Sequence, residues 1–205
     1  MSEWPFGSLQ RGHYGAILAD PPWHFQSWTT PRWNGGHHVQ TPAKAPPYDA
    51  MNLDEIESLP VAELAAPDCT LFMWGIWVML PHALRVIESW GFEYKTAAFV
   101  WTKANVRQID LFRDDADGQL GLGYWVRQNT EFCFLATRGK PKRLHADVRQ
   151  GIIAPRREHS RKPDGIHARI ERLVAGPYVE LFARQRRPGW DTWGNQTDKF
   201  PEAAE

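Results

Sequence analysis

Two cysteines in 205 residues, a formal net charge of zero and the lack of any long apolar run set the first limits on this chain. Cys69 and Cys133 each lie inside an apolar, strand-like stretch (Cys-Thr-Leu-Phe-Met-Trp and Phe-Cys-Phe-Leu). They read as buried free thiols, which suits a reducing cytosol. No stretch is apolar enough to span a bilayer and the start shows no signal-peptide pattern, so a cytoplasmic location is expected. The eight histidines include no His-x-x-x-His pair, and Cys-x-x-Cys is also absent. That removes the common zinc spacings and leaves Asp20, His24, His37 and His38 as the metal set to weigh, for a metal hydrolase. Sixteen glycines contain no Gly-x-Gly-x-x-Gly, which excludes the ordinary dinucleotide fingerprint.

What is present is enough for one domain with a real core: 42% of the residues are hydrophobic. Eleven tryptophans is a high count. Many belong in the core, but several sit in polar, loop-like sequence where stacking on bases is an alternative. The zero net charge hides a segregation. Between residues 138 and 187 there are fourteen Lys and Arg against five Asp and Glu, whereas residues 48–68 hold six acids and no base. A basic face for phosphates and an acidic face elsewhere is one reading, and a solvated surface with chance clustering is the other.

Periodicity predicts strands over 14–19, 69–75, 94–102, 131–137 and 178–183, each short and nearly all apolar. An amphipathic helical segment from Leu53 to Ala65 is interrupted by Pro60. Leu80, Leu84, Ile87 and Trp90 mark one face of a helix over 78–90, with Gly91 as its stop. A last helix runs from Pro163 to Ala175, with Ile166, Ile170 and Leu173 on one face. Strands alternating with helices imply a single α/β domain on a mostly parallel sheet, helices on both faces. Residues 24–50 and 103–128 lack regular pattern. Loops that long are usually functional, and the carboxyl edge of the sheet is where ligands bind in such folds. They are candidates for a substrate lid and for a target-recognition or subunit surface, and the tail over 198–205 is expected to be frayed.

The sharpest local feature is Ala19-Asp20-Pro21-Pro22-Trp23, directly after the apolar run Tyr14-Gly15-Ala16-Ile17-Leu18. A buried strand delivers a carboxylate, two prolines stiffen the backbone and remove its donors, and a large aromatic face follows. Asp20 and the Pro21 carbonyl, with no competing amides, would form a rigid acceptor array for the two hydrogens of a planar exocyclic amine. The amine of adenine needs such help, because its lone pair is delocalised into the ring. Acceptors set toward the positive charge that develops on nitrogen lower the barrier. The plainer reading is a Pro-Pro turn ending a strand, with Asp20 as an N-cap.

The run around Asp20, taken with Pro47-Tyr48-Asp49-Ala50-Met51, Leu71-Phe72-Met73-Trp74, Val100-Trp101-Thr102-Lys103-Ala104-Asn105, Lys162-Pro163-Asp164, Glu180-Leu181-Phe182-Ala183-Arg184 and Gly194-Asn195-Gln196, resembles the catalytic domain of the eukaryotic mRNA adenosine methyltransferase family. It is equally similar to that family's bacterial and phage DNA relatives. The resemblance covers residues 14–196 in order. It implies a Rossmann-like methyltransferase domain with permuted order, the catalytic loop first and the cofactor elements last, and S-adenosylmethionine as cofactor with no metal. On this resemblance Asp20, Pro21, Pro22 and Trp23 are the catalytic residues, with Trp23 buttressing or stacking on the base. Tyr48, Trp74 and Trp101 shape the methyl-acceptor pocket. Asp20, Ser160, Lys162, Glu180, Phe182, Arg184, Asn195 and Gln196 lie toward the cofactor. Lys162, beside a helix N-terminus, would attract the methionine carboxylate or a substrate phosphate.

Two departures stand out. Only nineteen residues precede Asp20, so Trp4-Pro5-Phe6-Gly7 is the candidate cover for the cofactor adenine in place of an upstream acidic strand. Gln185-Arg186-Arg187 replaces a different polar pair, which puts the ribose contacts in doubt. The expected activity is methylation of the 6-amino group of adenine, with DNA favoured as polymer and RNA as the alternative, by one protein or one half of a homodimer or heterodimer. A non-catalytic nucleic-acid-binding subunit on the same fold is the rival from another class.

Overall fold

In chain order the elements are β1 (Tyr14–Ala19), β2 (Arg32–Asn34), β3 (His37–Val39), α1 (Leu53–Glu57), β4 (Ala65–Gly75), α2 (Leu80–Ser89), β5 (Glu93–Ala104), β6 (Thr130–Arg138), β7 (Gly151–Pro155), α3 (Ile166–Leu173), β8 (Tyr178–Leu181) and β9 (Trp190–Trp193). They come from a computed structural model that describes residues 4–23, 32–34, 37–39, 50–104, 128–155, 157 and 161–200. Every residue of β1 except Gly15 is buried, which is why this strand is internal.

Seven strands form one sheet in the order β7-β5-β6-β4-β1-β8-β9. β6 runs antiparallel to both of its neighbours, β4 and β5, and every other pair is parallel. β2 and β3 pair separately. The expected α/β class, mostly parallel, is the observed one. The strand alternation divides the core in two. Ile17 and Ala19 of β1 face the layer holding Ile56 of α1 and Ala83, Val86 and Ile87 of α2. Ala16 and Leu18 face the layer holding Ile166 and Ile170 of α3. Helices therefore cover opposite faces.

α1 starts with a capping box: Asn52 Oδ1 accepts from the Glu55 amide at 2.9 Å, and Glu55 returns the contact at 2.8 Å. It ends at Glu57, short of the expected Ala65. Pro60 lacks the N–H a continuing helix needs, a single tight turn follows at Val61–Glu63, and Ala65 already belongs to β4. Trp90, fully buried, donates from Nε1 to the Ile56 carbonyl at 2.9 Å and ties α1 to α2. Gly91 at φ +77° then stops α2, a conformation that favours glycine. α3 starts at Ile166, three residues after the expected Pro163, whose carbonyl accepts from the Ile166 amide at 3.3 Å.

Sequence periodicity missed β7 and β9 because both lie at sheet edges. Ile152 is the one buried residue of β7, and Trp190 that of β9. Residues 24–50 are not pattern-free either, since they hold the β2–β3 pair on either side of Gly35-Gly36. Both long segments do leave and return at the carboxyl edge. Trp23 pairs with Met51, closing the first, and the Lys103 amide donates to the Asn129 carbonyl at 2.8 Å, closing the second. Residues 105–127 lie outside the described residues. At the chain's end Phe200 is packed and its amide donates to the Arg184 carbonyl at 3.2 Å, so the frayed tail expected over 198–205 is corrected for 198–200. Trp4-Pro5-Phe6-Gly7 does not line the cleft described below. Phe6 is core, 5.0 Å from Trp193, and Trp193 Nε1 donates to the Pro5 carbonyl at 2.9 Å. Among the described residues no helix is long and apolar enough to cross a membrane.

Candidate active site

The carboxyl end of β1 is where the crossovers diverge: its own path leads over one face to β4, while α3 returns over the other face to β8. In open α/β sheets a ligand crevice forms at such a point, outside the carboxyl ends of strands whose connections run to opposite faces. Asp20 stands at the end of β1, its amide donating to the Leu181 carbonyl at 3.4 Å. The Asp20 carboxylate accepts from Lys162 Nζ at 2.7 Å through Oδ2. Lys162 also lies 3.4 Å from Glu131 Oε2, and Glu131 Oε1 accepts from Lys103 Nζ at 2.5 Å. Four charges thus alternate in a row, Asp20, Lys162, Glu131 and Lys103. They come from four places in the chain: the ends of β1 and β5, the start of β6 and the approach to α3. Only a reversed β6 delivers its first residues to this edge, and so brings Glu131 into the site.

The surroundings set the protonation states. The Asp20 side chain keeps 23% of its surface open but is packed round by protein. Burial pushes its pKa up, and Lys162 only partly offsets this. Burial would also raise Glu131, but the ammonium groups of Lys162 and Lys103 overcome that and hold it below the usual glutamate range. Burial disfavours a charged Lys162, yet its two carboxylate partners raise its pKa above the ordinary lysine value. The expectation that Lys162 attracts an outside anion is corrected: its charge is already neutralised within the protein.

Asp20 and Lys162 border an open cleft, with Trp74, Glu180, Phe182 and Arg184 also on its wall. His167, Arg187 and Phe200, which the sequence reading did not single out, line it too. Glu180 Oε2 is 2.7 Å from His167 Nε2. Phe182 has φ +60°, a strained conformation for a non-glycine residue, and strain of this kind concentrates at functional sites. Two buried ring nitrogens of the wall, Trp74 Nε1 and His167 Nδ1, have no hydrogen-bond partner among the described residues.

Other expected site residues lie elsewhere. The Pro21 carbonyl is not free of competing amides, because it accepts from the Trp23 amide at 2.8 Å, and the Pro22 carbonyl accepts from Met51 at 3.1 Å. Trp23 is a buttress and not a stacking surface. Its ring is in the core and its Nε1 donates to the Trp74 carbonyl at 3.3 Å. Trp101 is 2% exposed, with Nε1 donating to the Ala154 carbonyl at 3.0 Å, so it is core and the pocket role is corrected. Gln196 lies behind the wall, its Oε1 accepting from Arg184 Nε at 3.2 Å, and Asn195 is exposed off the lining. Tyr48 and Ser160 lie outside the described residues, as does His24 of the metal set. Among the described residues no three His, Cys, Asp or Glu side chains gather into a metal site. Both thiols are free and buried, and burial pushes Cys69 up to about 12.

The basic segment is split by the fold. Arg138 pairs with Cys69 at the amino edge and Arg143 bridges to Val174 beyond α3, whereas Arg184 and Arg187 border the cleft. Among the described residues, these four arginines do not share one edge of the sheet.

Comparison with known proteins finds relatives that match most of the chain. A type II methyltransferase, M.MunI, from a Mycoplasma species is 33% identical over 92% of this chain and 80% of its own length. An N(6)-adenosine-methyltransferase MT-A70-like protein of Arabidopsis thaliana is 30% identical over 90% of this chain and 24% of its own. The human N(6)-adenosine-methyltransferase catalytic subunit METTL3 is 30% identical over 91% and 29%. The chain thus spans most of the first relative and under a third of the two longer ones. One family model runs from residue 14, where β1 begins, to residue 196, past the last strand, and by that match the chain belongs to the MT-A70 family.

Proposed function

We propose that this protein is an S-adenosylmethionine-dependent methyltransferase that modifies the 6-amino group of adenine in nucleic acid, with DNA as the favoured polymer. The observation that carries the reading is the Asp20 carboxylate, held by Lys162 on the wall of the cleft at the end of β1.

The wall suits the cofactor. The wall carries both signs of charge, Asp20 and Glu180 beside Arg161, Arg184 and Arg187, which suits a ligand with an ammonium, a carboxylate and a sulfonium. The rings of Trp74 and Phe182 offer faces to a cation. Glu180 Oε1 makes no contact among the described residues and is left to accept from a sugar hydroxyl. The unpartnered Trp74 Nε1 and His167 Nδ1 gain from any polar ligand that meets them. When bound, S-adenosylmethionine supplies a methyl group on a positively charged sulfur.

The protein's part is then to position and polarise the amine. Asp20 Oδ2 is taken by Lys162, so Oδ1 is the oxygen left to accept from an amine N–H. The Pro21 carbonyl retains one lone pair for the second hydrogen. Asp20 stabilises the charge that grows on nitrogen, and such preorganised groups are each worth about 3 kcal/mol. Lys162 steadies the carboxylate, and Glu131 and Lys103 hold Lys162 in place without adding net charge. Trp23 and Pro22 fix the backbone behind Asp20.

DNA is favoured because the similarity to the type II methyltransferase spans most of both chains. RNA is the second reading, supported by the similarity to N(6)-adenosine-methyltransferases. The test is incubation with labelled cofactor and a panel of DNA and RNA, followed by nucleoside mass spectrometry. N(6)-methyladenine in one polymer is the expected product. Cofactor binding by calorimetry with no methyl incorporated into any nucleic acid would make the chain a non-catalytic binding subunit instead.

A further inference from the structure

We infer that Phe200 is a binding residue for the planar ring of the nucleoside cofactor, an inference that rests on the methyltransferase reading above. The sequence marks Phe200 as part of a polar tail, yet the fold places it on the cleft wall beside Arg184 and Arg187. Several ties hold it there. Its amide donates to the Arg184 carbonyl at 3.2 Å, and the Lys199 amide donates to the Gln196 carbonyl at 2.9 Å. Gln196 Oε1 accepts from both Arg184 Nε, at 3.2 Å, and Lys199 Nζ, at 3.1 Å. Arg186 Nε donates to Asp198 at 2.6 Å. The segment after β9 is thereby stitched to the segment after β8.

The guanidinium groups of Arg161 and Arg184 lie 4.7 and 5.2 Å from the Phe200 ring centroid. Cations this close to a ring fix its orientation. The result is an aromatic surface, half-buried and held in place, on the arginine-bearing part of the cleft wall. An aromatic ring inside a polar cleft has little to offer a carboxylate or a phosphate. It has much to offer a purine, which stacks on such a face with little ordering cost when the face is preorganised.

The test measures calorimetric affinity for S-adenosylhomocysteine in the wild type and in Phe200→Ala, Phe200→Leu and Phe200→Trp, with thermal midpoints as a folding control. The expected result is a Kd raised about tenfold or more in Phe200→Ala and Phe200→Leu. Phe200→Trp, which keeps a stacking face, should bind close to wild type. Free methionine, which lacks the purine, should show no such difference between variants. Equal affinity of Phe200→Leu and wild type overturns the assignment. Tighter binding by Phe200→Ala overturns it as well, since Phe200 would then occupy the ligand's place. A wild-type protein that binds no S-adenosylhomocysteine overturns the cofactor reading itself, so the two failures are told apart.

Discussion

Lys162 donates to Asp20 across 2.7 Å, joining residues 142 positions apart at the meeting of β1 and the approach to α3. The cation is shared with Glu131, which Lys103 balances in turn. That pairing underlies the first two expectations.

Asp20→Ala should lower turnover about 100-fold or more while leaving cofactor affinity nearly unchanged, because an acceptor that acts on the transition state is lost. Methyl incorporation under saturating cofactor, beside calorimetry of cofactor binding, is the measurement. Turnover equal to wild type would remove Asp20 from the mechanism.

Burial raises the Asp20 pKa against the opposing pull of Lys162. The carboxylate form is needed, so kcat/KM should fall as pH drops through a value above the ordinary aspartate range near ~4. Lys162→Met removes the opposing cation and should shift that acid limb to higher pH. An unmoved limb in this variant would separate the profile from Asp20. In folding terms, the raised pKa gives Asp20 a stabilising contribution that is full below its ordinary value and lost as pH rises through the folded one.

Glu131 has the opposite sign. Lys162 and Lys103 outweigh its burial and hold its pKa low, so its stabilising contribution is present above the ordinary glutamate value and lost as pH falls through the folded one. Lys103→Met should therefore lower the thermal midpoint at pH 7, with the difference from wild type shrinking as the pH is taken down into the acid range. A difference of the same size at all pH values would point to lost packing instead.

Trp74 and Trp101 make a contrasting pair. Trp101→Phe removes a buried hydrogen bond to Ala154 and should cost about 1–3 kcal/mol of stability, with the KM for nucleic acid unchanged. Trp74→Phe removes a buried N–H that has no partner among the described residues. It should cost little stability, yet weaken a ligand that uses that N–H. Chemical denaturation and ligand titration of both variants distinguish the two outcomes.

Because Arg187 and Arg143 lie at different edges of the sheet, they should differ in salt dependence. Arg187→Glu, at the cleft, should reduce the slope of log affinity for DNA against log salt by about 1 or more. Arg143→Glu, beside Val174, should leave the slope as it is. Equal effects would mean that both edges contact the nucleic acid.

Much of this was legible from composition and pattern, and the exceptions have physical causes. β1 reads with its observed limits because both of its faces are apolar and buried, so nothing blurs its ends. Asp20 and Lys162 are recognisable because each stands beside prolines at the border of a periodic segment. Glu131 is not. A lone acid at the start of an apolar strand looks like a solvated strand end, and only the reversal of β6 turns it toward Lys162. Trp101 misleads for a related reason. An indole at a strand end fits a pocket or a core equally well until the neighbouring strand is known, and here β7 supplies a carbonyl for it. The Phe200 contacts depend on two loops that meet only in the folded sheet.

The pairing of Trp23 with Met51, and of Lys103 with Asn129, has an evolutionary consequence. Each long insertion is pinned at its root by backbone contacts that do not depend on what the insertion contains. Since the entropy of closing a loop grows only slowly with its length, either stretch can change in length at small cost to the sheet. A change of length there would need no redesign of the sheet beneath.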